Sequence, residues 1–557
     1  MIEDARKVPN QTRLDTAVCI LGGGAVGITI ARELLRNGIE VILLPGAGGR
    51  ESDSDRDRYR GRADPPGSHE PLEENRRRVF GGTTTAWGGR CVPFDPIDFC
   101  ERSWIPNSGW PIRWEDVQPF LAEAVRLCEA GDADFDARSA FPKTPRMMIP
   151  DFDDPEVVTW PLEKWSPPTN FAARYGPELI GSNRCRILMH GQGVQLHLAE
   201  NKKRIKEVEA NTNHNKKFFV RAKIFILACG GLENPRLLLA SNQVLSGGIG
   251  NQEDQVGRYY QSHQFGVCGH ALLHEPQKMV YDFERCVKGA YARRRFWMTA
   301  QAQQTHKMGN IIGFFFRGCG DVAFHRDALT SSLYLAKNCL HSLKRGLPGL
   351  KQIFSGNRDE TKAHLRVVLR EAPQLTSQLI ELTRKRFFCR RRLPFVLPPQ
   401  SKNYFPLYYQ AEHAPNSQSR LVLIPEERDD LGMPRLLVKV LFSEIDFHTV
   451  RSFFRVFESR MKASGAGEFV YQEEELEKQF ADRRKTFNSN AHHIGTTRMS
   501  DNPRTGVVDL NGRVHGIDNL YVGGSSIYPT SGHANPTLLA VMLALRLAQK
   551  LVNECGR

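Results

Sequence analysis

A glycine-rich segment near the N-terminus constrains the fold of this chain more than any other feature. A short apolar run ends at Leu21, and Gly22, Gly24 and Gly27 follow it in a G-x-G-x-x-G pattern. Apolar residues then recur at helical spacing until a second apolar run, 41–44, begins. Glycines between a strand and a helix are typical of a β-α-β unit that binds a dinucleotide, so we expect such a unit here.

Each of the three glycines has its own physical reason. A side chain at Gly22 would block the tight turn, and one at Gly24 would block the approach of a pyrophosphate. A side chain at Gly27 would keep the helix away from the strand. The backbone N–H groups at the helix start would then face the phosphates, although a glycine turn without a ligand is the alternative.

Length and composition indicate a large globular protein. A chain of 557 residues predicts two domains, and 40% hydrophobic residues with 31 Phe exclude a disordered chain. The sequence contains no uncharged apolar run of about 18 residues, and its N-terminal segment is polar. We therefore predict neither a membrane span nor a secretory signal, and a cytoplasmic location.

The charge and the cysteines do not indicate a nucleic-acid or metal-binding protein. The net charge is +14, but much of it lies in 50–78, where acidic residues alternate with basic ones, and in 384–392. No nucleic-acid motif accompanies either segment, so no nucleic-acid partner is predicted. The 12 cysteines have irregular spacing, which predicts no metal site and favours buried free thiols.

Residues 368–392 combine an amphipathic helical pattern with a basic end. A basic amphipathic helix can bind a membrane surface, and such a peripheral contact is one interpretation. The favoured interpretation is a solvated helix whose cations stabilise its C-terminus.

The last 65 residues carry the second strong pattern. A strand, a glycine and serine turn, and a long helix are predicted from the sequence VHGIDNLYVGGSSIYPTSGHANPTLLAVMLALRLAQKL. We expect the helix to begin at Pro536, with Asn535 as its N-cap. Because the helix is apolar nearly all round, it should be deeply buried.

Three separated blocks of the chain resemble the glucose-methanol-choline (GMC) oxidoreductase family. They are LGGGAVGITIARELLRNG near the start, FGGTTTAWGGR from Phe80, and HHIGTTRM with SGHANPTLLAVMLALRLA at the end. The blocks occur in the family's order and span nearly the whole chain. Their detailed form is more similar to the pyranose 2-oxidase and fructose dehydrogenase branches than to choline oxidase, which points to sugars.

The resemblance implies an α/β fold with two parts. A Rossmann-like FAD-binding domain with a parallel sheet would comprise residues 1–105, 185–265 and 486–557. A discontinuous α+β substrate-binding domain, built on an antiparallel sheet, would comprise residues 106–184 and 266–485.

The resemblance also implies the site residues. The family's catalytic histidine lies three residues before a Gly-Thr pair, which gives His492 before Gly495, with Asn535 as its partner and His493 as the alternative position. The residues that match the family's cofactor-binding positions are Gly22, Gly24, Gly27, Gly81, Gly82, Thr83, Gly524, Ser525, Asn535, Pro536 and Thr537.

These residues suit the oxidation of an alcohol. A C–H bond gives up a hydride to flavin N5 only as the adjacent hydroxyl loses its proton, so a base is required. A histidine such as His492 suits this role, and Asn535 can donate a hydrogen bond to the developing alkoxide. The predicted function is FAD-dependent oxidation of a CH–OH group on a sugar, glycoside or sugar-derived metabolite. A non-redox flavin-containing lyase and a binding protein without flavin are the alternatives, and the electron acceptor, whether oxygen, a quinone or a protein, stays open.

Two positions depart from the expected pattern. Pro45 stands where dinucleotide-binding folds usually have an acidic residue that hydrogen-bonds the ribose, so the adenosine half must be held in another way or more weakly. Ala86 stands where pyranose 2-oxidases have a histidine that bonds covalently to the flavin. We therefore predict non-covalent FAD.

Overall fold

The computed structural model describes residues 1–212, 216–315, 403–481 and 492–555, together with the helix 358–370 and scattered residues between 331 and 394. Within this part of the chain, no helix is both long and apolar enough to cross a membrane. Most of the segment 371–392, which carries the basic part of the predicted membrane contact, lies outside the described residues.

The strands, in chain order, are β1 (Ile2–Asp4), β2 (Arg13–Leu21), β3 (Val41–Leu44), β4 (Gly61–Asp64), β5 (Arg90–Cys91), β6 (Val157–Val158), β7 (Leu162–Trp165), β8 (Cys185–Met189), β9 (Gln192–Leu198), β10 (Ile205–Asn211), β11 (Lys217–Leu227), β12 (His263–Leu273), β13 (Glu284–Arg285), β14 (Tyr291–Arg294), β15 (Phe296–Met298), β16 (Ile311–Phe315), β17 (Tyr404–Glu412), β18 (Arg420–Arg428), β19 (Pro434–Lys439), β20 (Gly467–Tyr471) and β21 (Leu520–Val522).

The described α-helices are α1 (Ala25–Arg36), α2 (Asp53–Asp57), α3 (Pro96–Phe99), α4 (Leu121–Leu127), α5 (Ala137–Ala140), α6 (Phe171–Gly181), α7 (Glu233–Ala240), α8 (Ala300–Thr305), α9 (Arg358–Arg370), α10 (Glu444–Ala463), α11 (Glu473–Ala481) and α12 (Thr537–Cys555).

The largest sheet has eight strands. Its order is β1-β8-β3-β2-β11-β10-β9, and β21 also pairs with β11. In this order, every pair of neighbours from β1 to β11 is parallel, and so is the pair of β11 with β21. The pair of β11 with β10 and the pair of β10 with β9 are antiparallel. Because parallel strands end at the same edge, the turns after β2, β3 and β11 meet there.

Helices α1 and α12 cover one face of this sheet and pack against each other. The predicted face of α1, with Gly27, Ile30, Ala31 and Leu34, is buried. Most residues in the first half of α12 are buried, as the sequence predicted. The helix begins one residue later than expected, because the carbonyl of Pro536 accepts the first helical hydrogen bond, from Ala540.

A second, six-stranded sheet is antiparallel throughout. Its order is β20-β12-β17-β16-β15-β6, and α10 packs on it with a cluster of buried phenylalanines. Two smaller sheets, β13-β14-β7-β5 and β18-β19-β4, complete the described strands.

The prediction of a mixed α/β chain with several sheets is confirmed. Helices α4 and α6 contribute buried side chains to the same core as the large sheet. The predicted limits of the two domains stay a prediction.

Candidate active site

A cavity lies at the edge where the parallel strands end, and its wall includes the glycine turn after β2. We call it the glycine cavity. Leu21, Leu44 and Ala228, at the ends of three neighbouring strands, line it together with Gly22 and Gly24. Ligands of open parallel sheets bind at this edge, outside the carboxyl ends of the strands.

Protein packing requires glycine at Gly22 and Gly27, as the sequence indicated. Gly22 has a φ of +108°, and a Cβ there would lie 2.3 Å from the carbonyl oxygen of Ala228. A Cβ at Gly27 would lie 1.9 Å from the carbonyl oxygen of Gly22. At Gly24 the nearest atom to an added Cβ is the Cα of Gly82, at 4.0 Å, so protein packing does not require a glycine there. The glycine keeps the cavity open beside the start of α1, where a pyrophosphate fits.

Most of the predicted cofactor residues line this cavity. They are Gly22, Gly24, Gly82, Thr83, Gly524, Ser525, Pro536 and Thr537. Gly27 lies behind the turn, within α1, and Gly81 shapes the next turn with a φ of +100°. Asn535 lines an adjoining cavity.

At the position of the missing acidic residue, the structure places an arginine from a distant loop. An added Cβ at Gly46, directly after Pro45, would lie 3.7 Å from Nη1 of Arg78. Arg78 is buried and donates from Nη1 to Oε1 of Gln192 and from Nη2 to Oε2 of Glu233, the latter at 3.1 Å. All of these residues line the glycine cavity.

Glu233 is ionised in this environment. Burial alone would raise the pKa of its carboxyl group, but Arg236, Arg78 and Arg76 outweigh burial and lower the pKa to about 2. The guanidinium of Arg78 is therefore held between a carboxylate and the amide of Gln192, and it also stacks on Tyr59 at 4.4 Å.

The adjoining cavity is lined by five aromatic side chains together with several arginines and other polar residues, and we call it the aromatic cavity. Its aromatic residues are Trp87, Trp165, Phe265, Phe314 and Tyr408. The two cavities share Thr83, Trp87, His492 and Thr537 in their walls, so they meet at these residues.

A short antiparallel bridge brings His492 to this junction. Gln261 and Ile494 exchange backbone hydrogen bonds of 2.9 and 3.1 Å. Two residues along each strand from this bridge, His263 and His492 face each other, with 2.8 Å between their Nδ1 atoms. The hydroxyl of Ser525 donates to the carbonyl of His493 at 2.7 Å and ties the segment to the C-terminal turn.

Asn535 is the partner of His492, as the resemblance implied. Its Nδ2 lies 3.1 Å from Nε2 of His492. The alternative, His493, instead lies beside His69 and Tyr260, with ring centroids 6.1 and 6.2 Å apart, respectively. The Asn535 side chain therefore engages a histidine and does not cap α12 in the way the sequence suggested.

Burial keeps His492 neutral. Desolvation and then the positive charge of Arg90 lower the pKa of its imidazole to about 3. A neutral imidazole with a free nitrogen lone pair is the form that accepts a proton.

Three residues that act on this pair, by contact or through charge, were not identified from the sequence: His263, Gln410 and Arg90. Arg90 is the last residue of the block FGGTTTAWGGR, but only the fold, which places it in the same cavity wall as His492, gives it a role. Gln410 lies in β17 and His263 in β12, far along the chain from His492, and no local pattern marks either of them.

Comparisons with known proteins identify a matching family model and several relatives. A family model described as GMC oxidoreductase matches residues 415–544, a range that contains both His492 and Asn535. The chain is 22% identical to the fructose dehydrogenase large subunit of Gluconobacter japonicus, over 98% of this chain and 99% of that protein. It is 42% identical to the pyranose 2-oxidase of Tricholoma matsutake over 12% of each chain.

Among solved structures, an FAD-dependent oxidoreductase from Chaetomium thermophilum has the same fold, with a TM-score of 0.54 at 14% identity over 97% of this chain and 100% of that one. The protein is thus an oxidoreductase that acts on CH–OH donors. The predicted resemblance to the GMC oxidoreductase family is confirmed, and the predicted cofactor, FAD, is confirmed as that of the family.

The low pKa of His492 predicts the pH dependence of its base form. A pKa near 3 in place of about 6.5 means that the neutral imidazole is present above about pH 3 and is lost only as pH falls through that value. We expect kcat/KM for an alcohol substrate to show no acid limb near pH 6.5. Stopped-flow measurement of flavin reduction between about pH 5 and pH 8 checks this. An acid limb with a midpoint near 6.5 that His492→Asn abolishes would contradict it.

Proposed function

We propose that the protein oxidises a CH–OH group on a sugar, glycoside or sugar-derived metabolite by His-assisted hydride transfer to non-covalently bound FAD. The observation that carries the proposal is the pair of His492 and Asn535 at the junction of the two cavities. One cavity has the wall of a dinucleotide site, and the other has room and aromatic surface for a substrate.

The residues of the glycine cavity fit the cofactor. The open space beside Gly24 and the start of α1 would receive the pyrophosphate. Thr83 and Thr537, where the two cavities meet, would lie toward the flavin end. When bound, FAD supplies the hydride acceptor.

Arg78 and Gln192 would hold the ribose in place of the missing acidic residue. They lie beside Gly46, where the second strand of the β-α-β unit ends. An acidic residue accepts hydrogen bonds from ribose hydroxyls, whereas a guanidinium and an amide N–H donate to the hydroxyl oxygens. Recognition would therefore persist with the direction of the hydrogen bonds reversed.

In the proposed reaction, His492 removes the hydroxyl proton. A substrate hydroxyl that enters between His492 and Asn535 would donate to Nε2 of the imidazole, and Nδ2 of Asn535 would donate to the hydroxyl oxygen. The proton moves to His492 while negative charge grows on that oxygen, where the amide of Asn535 stabilises it.

The aromatic cavity supports a carbohydrate or another ring-shaped alcohol as the substrate. Its aromatic faces can pack on a ring, and its many polar side chains can bind several hydroxyl groups. Two proteins similar to this chain are named as a fructose dehydrogenase and a pyranose 2-oxidase, which supports the sugar class.

The first prediction from the proposed function concerns the reaction itself. We expect some member of a panel of sugars, glycosides and other alcohols to bleach the flavin spectrum of the holoenzyme under anaerobic conditions. His492→Asn should slow the bleaching by about 10²–10⁴-fold, because that is the usual contribution of a general base. The exposed His274 provides the matched control, His274→Asn, which should bleach at the wild-type rate.

The outcome separates the candidate functions. A protein that keeps its flavin but bleaches with no alcohol would contradict the oxidation and favour a lyase. A colourless protein that does not take up added FAD would favour a binding protein without flavin.

The second prediction concerns the bond between flavin and protein. Ala86 offers no nucleophile for a covalent link, so all the flavin should enter the supernatant when the holoenzyme is precipitated with acid. Absorbance spectra of the supernatant and the pellet measure this. Flavin that stays in the pellet after unfolding would show that the proposal of non-covalent binding is wrong.

The third prediction concerns cofactor retention. Arg78→Met should raise the dissociation constant of FAD by about tenfold or more, because a hydrogen bond from a charged group contributes about 1.5–3 kcal/mol. Titration of the apoprotein with FAD by calorimetry gives the constant. Arg62, which is 66% exposed, provides the control Arg62→Met, which should bind FAD like the wild type. Equal affinities for the Arg78 and Arg62 variants would rule out the assigned role.

A further inference from the structure

A continuous set of side-chain hydrogen bonds leads from Arg90 to His492. Nη1 of Arg90 donates to Oε1 of Gln410 at 2.7 Å. On its other side, Gln410 donates from Nε2 to the backbone carbonyl of His533. A guanidinium can only donate and a carbonyl can only accept. These two partners therefore fix which end of the Gln410 amide is oxygen and which is nitrogen.

The orientation of Gln410 determines that of Asn535. Nε2 of Gln410 lies 3.5 Å from Oδ1 of Asn535, so the oxygen of the Asn535 amide faces a donor. The nitrogen of that amide then faces Nε2 of His492, at 3.1 Å. Because an amide nitrogen only donates, Nε2 of His492 must present its lone pair.

The second histidine is consistent with this assignment. If Nε2 of His492 has the lone pair, its neutral ring carries the proton on Nδ1, which donates to Nδ1 of His263 at 2.8 Å. His263 then carries its own proton on Nε2. That atom is buried, and in the described part of the chain it makes no hydrogen bond of good geometry. A weaker backbone hydrogen bond with Ser531 raises the pKa of the His263 imidazole.

Arg90 is itself held rigidly. Its Nη2 pairs with Glu163, a fully buried carboxylate that also accepts from Nε of Arg293 at 2.6 Å. The first member of the set therefore has a fixed position, and the direction of every later hydrogen bond follows from it.

We propose that Gln410, oriented by Arg90 and by the carbonyl of His533, is a positioning residue that fixes the tautomer of His492 through Asn535. The tautomer with a lone pair on Nε2 is the one that can take a proton from a hydroxyl in the aromatic cavity. This consequence for catalysis rests on the proposed function, whereas the tautomer itself is a property of the resting protein.

The variant Gln410→Glu reverses the hydrogen bonds with almost no change in shape. A carboxylate still accepts from Arg90, but its second oxygen would oppose the carbonyl of His533 and Oδ1 of Asn535. A half-turn of the Asn535 amide relieves the second conflict, and its oxygen then faces Nε2 of His492. That oxygen favours a proton on Nε2, which removes the lone pair.

The test reads the tautomer directly. The resting holoenzyme is labelled with ¹⁵N-histidine, and the His492 signals are assigned by their loss in His492→Asn. In the wild type we expect an unprotonated Nε2 and a protonated Nδ1, and in Gln410→Glu the reverse. Gln410→Leu, which removes the constraint without reversing it, should give a mixture of both forms.

The rate of anaerobic flavin reduction should fall most in Gln410→Glu and less in Gln410→Leu. Gln410→Glu should reduce the rate constant by about 10²–10⁴-fold with little change in KM, because a general base is lost. Gln410→Leu should lose less than about tenfold, because of the three hydrogen bonds that it removes only the one to Asn535 bears on His492. Gln304, exposed on α8, provides the control Gln304→Glu, which should match the wild type in both measurements.

The results that would overturn the proposal are distinct from those that would overturn the proposed function. A wild-type tautomer in Gln410→Glu, or equal rate losses in the Glu and Leu variants with an unchanged tautomer, would leave Gln410 a purely structural residue. If the wild type bleaches with no alcohol, the proposed function fails, but the ¹⁵N signals of the resting holoenzyme still decide the assignment of the tautomer.

Discussion

The parallel pairing of β21 with β11 is the interaction on which the site depends. It joins residues 520–522, near the end of the chain, to residues 225–227 in the middle of the large sheet. Helix α12 follows and packs on α1, where each fully buried leucine contributes about 1.5–3 kcal/mol. The pairing thus places the turn before α12, with Asn535, at the sheet edge that already holds the glycine turn. Without it, the two ends of the chain would not share a cavity.

Arginines paired with buried carboxylates fix the geometry at both ends of the site. At one end, Arg78 is held by Glu233 and Gln192, and at the other, Arg90 is held by Glu163 and Gln410. A buried charge is costly unless it is paired, so each guanidinium has little freedom to move. Arg90 acts on His492 in two ways. Its charge disfavours the protonated imidazole, and its hydrogen bond orients the amides that select the neutral tautomer.

The sequence was most informative where the constraint is local. The positive φ of Gly22 and the contact of Gly27 with the carbonyl of Gly22 both arise within one turn, so their spacing predicts the β-α-β unit. His492 could be identified only by family resemblance, because nothing in its neighbourhood distinguishes it from His493. His263 gave no signal, since it lies 229 positions from His492 in the sequence, and only the bridge between Gln261 and Ile494 in the folded chain brings the two together. Pro45 indicated correctly that the usual carboxylate is missing, but Arg78 could not be found, because it comes from a separate loop.

The histidine pair also limits the path of the proton in the proposed reaction. When His492 takes up a proton on Nε2, its Nδ1–H remains bonded to His263, whose remaining nitrogen is buried. His263 therefore cannot pass the proton on to solvent. The only other nitrogen of His492 faces Asn535 and the aromatic cavity, which is also the side from which the substrate enters. In the proposed reaction, the proton on Nε2 of His492 and the oxidised product would therefore lie in the same cavity.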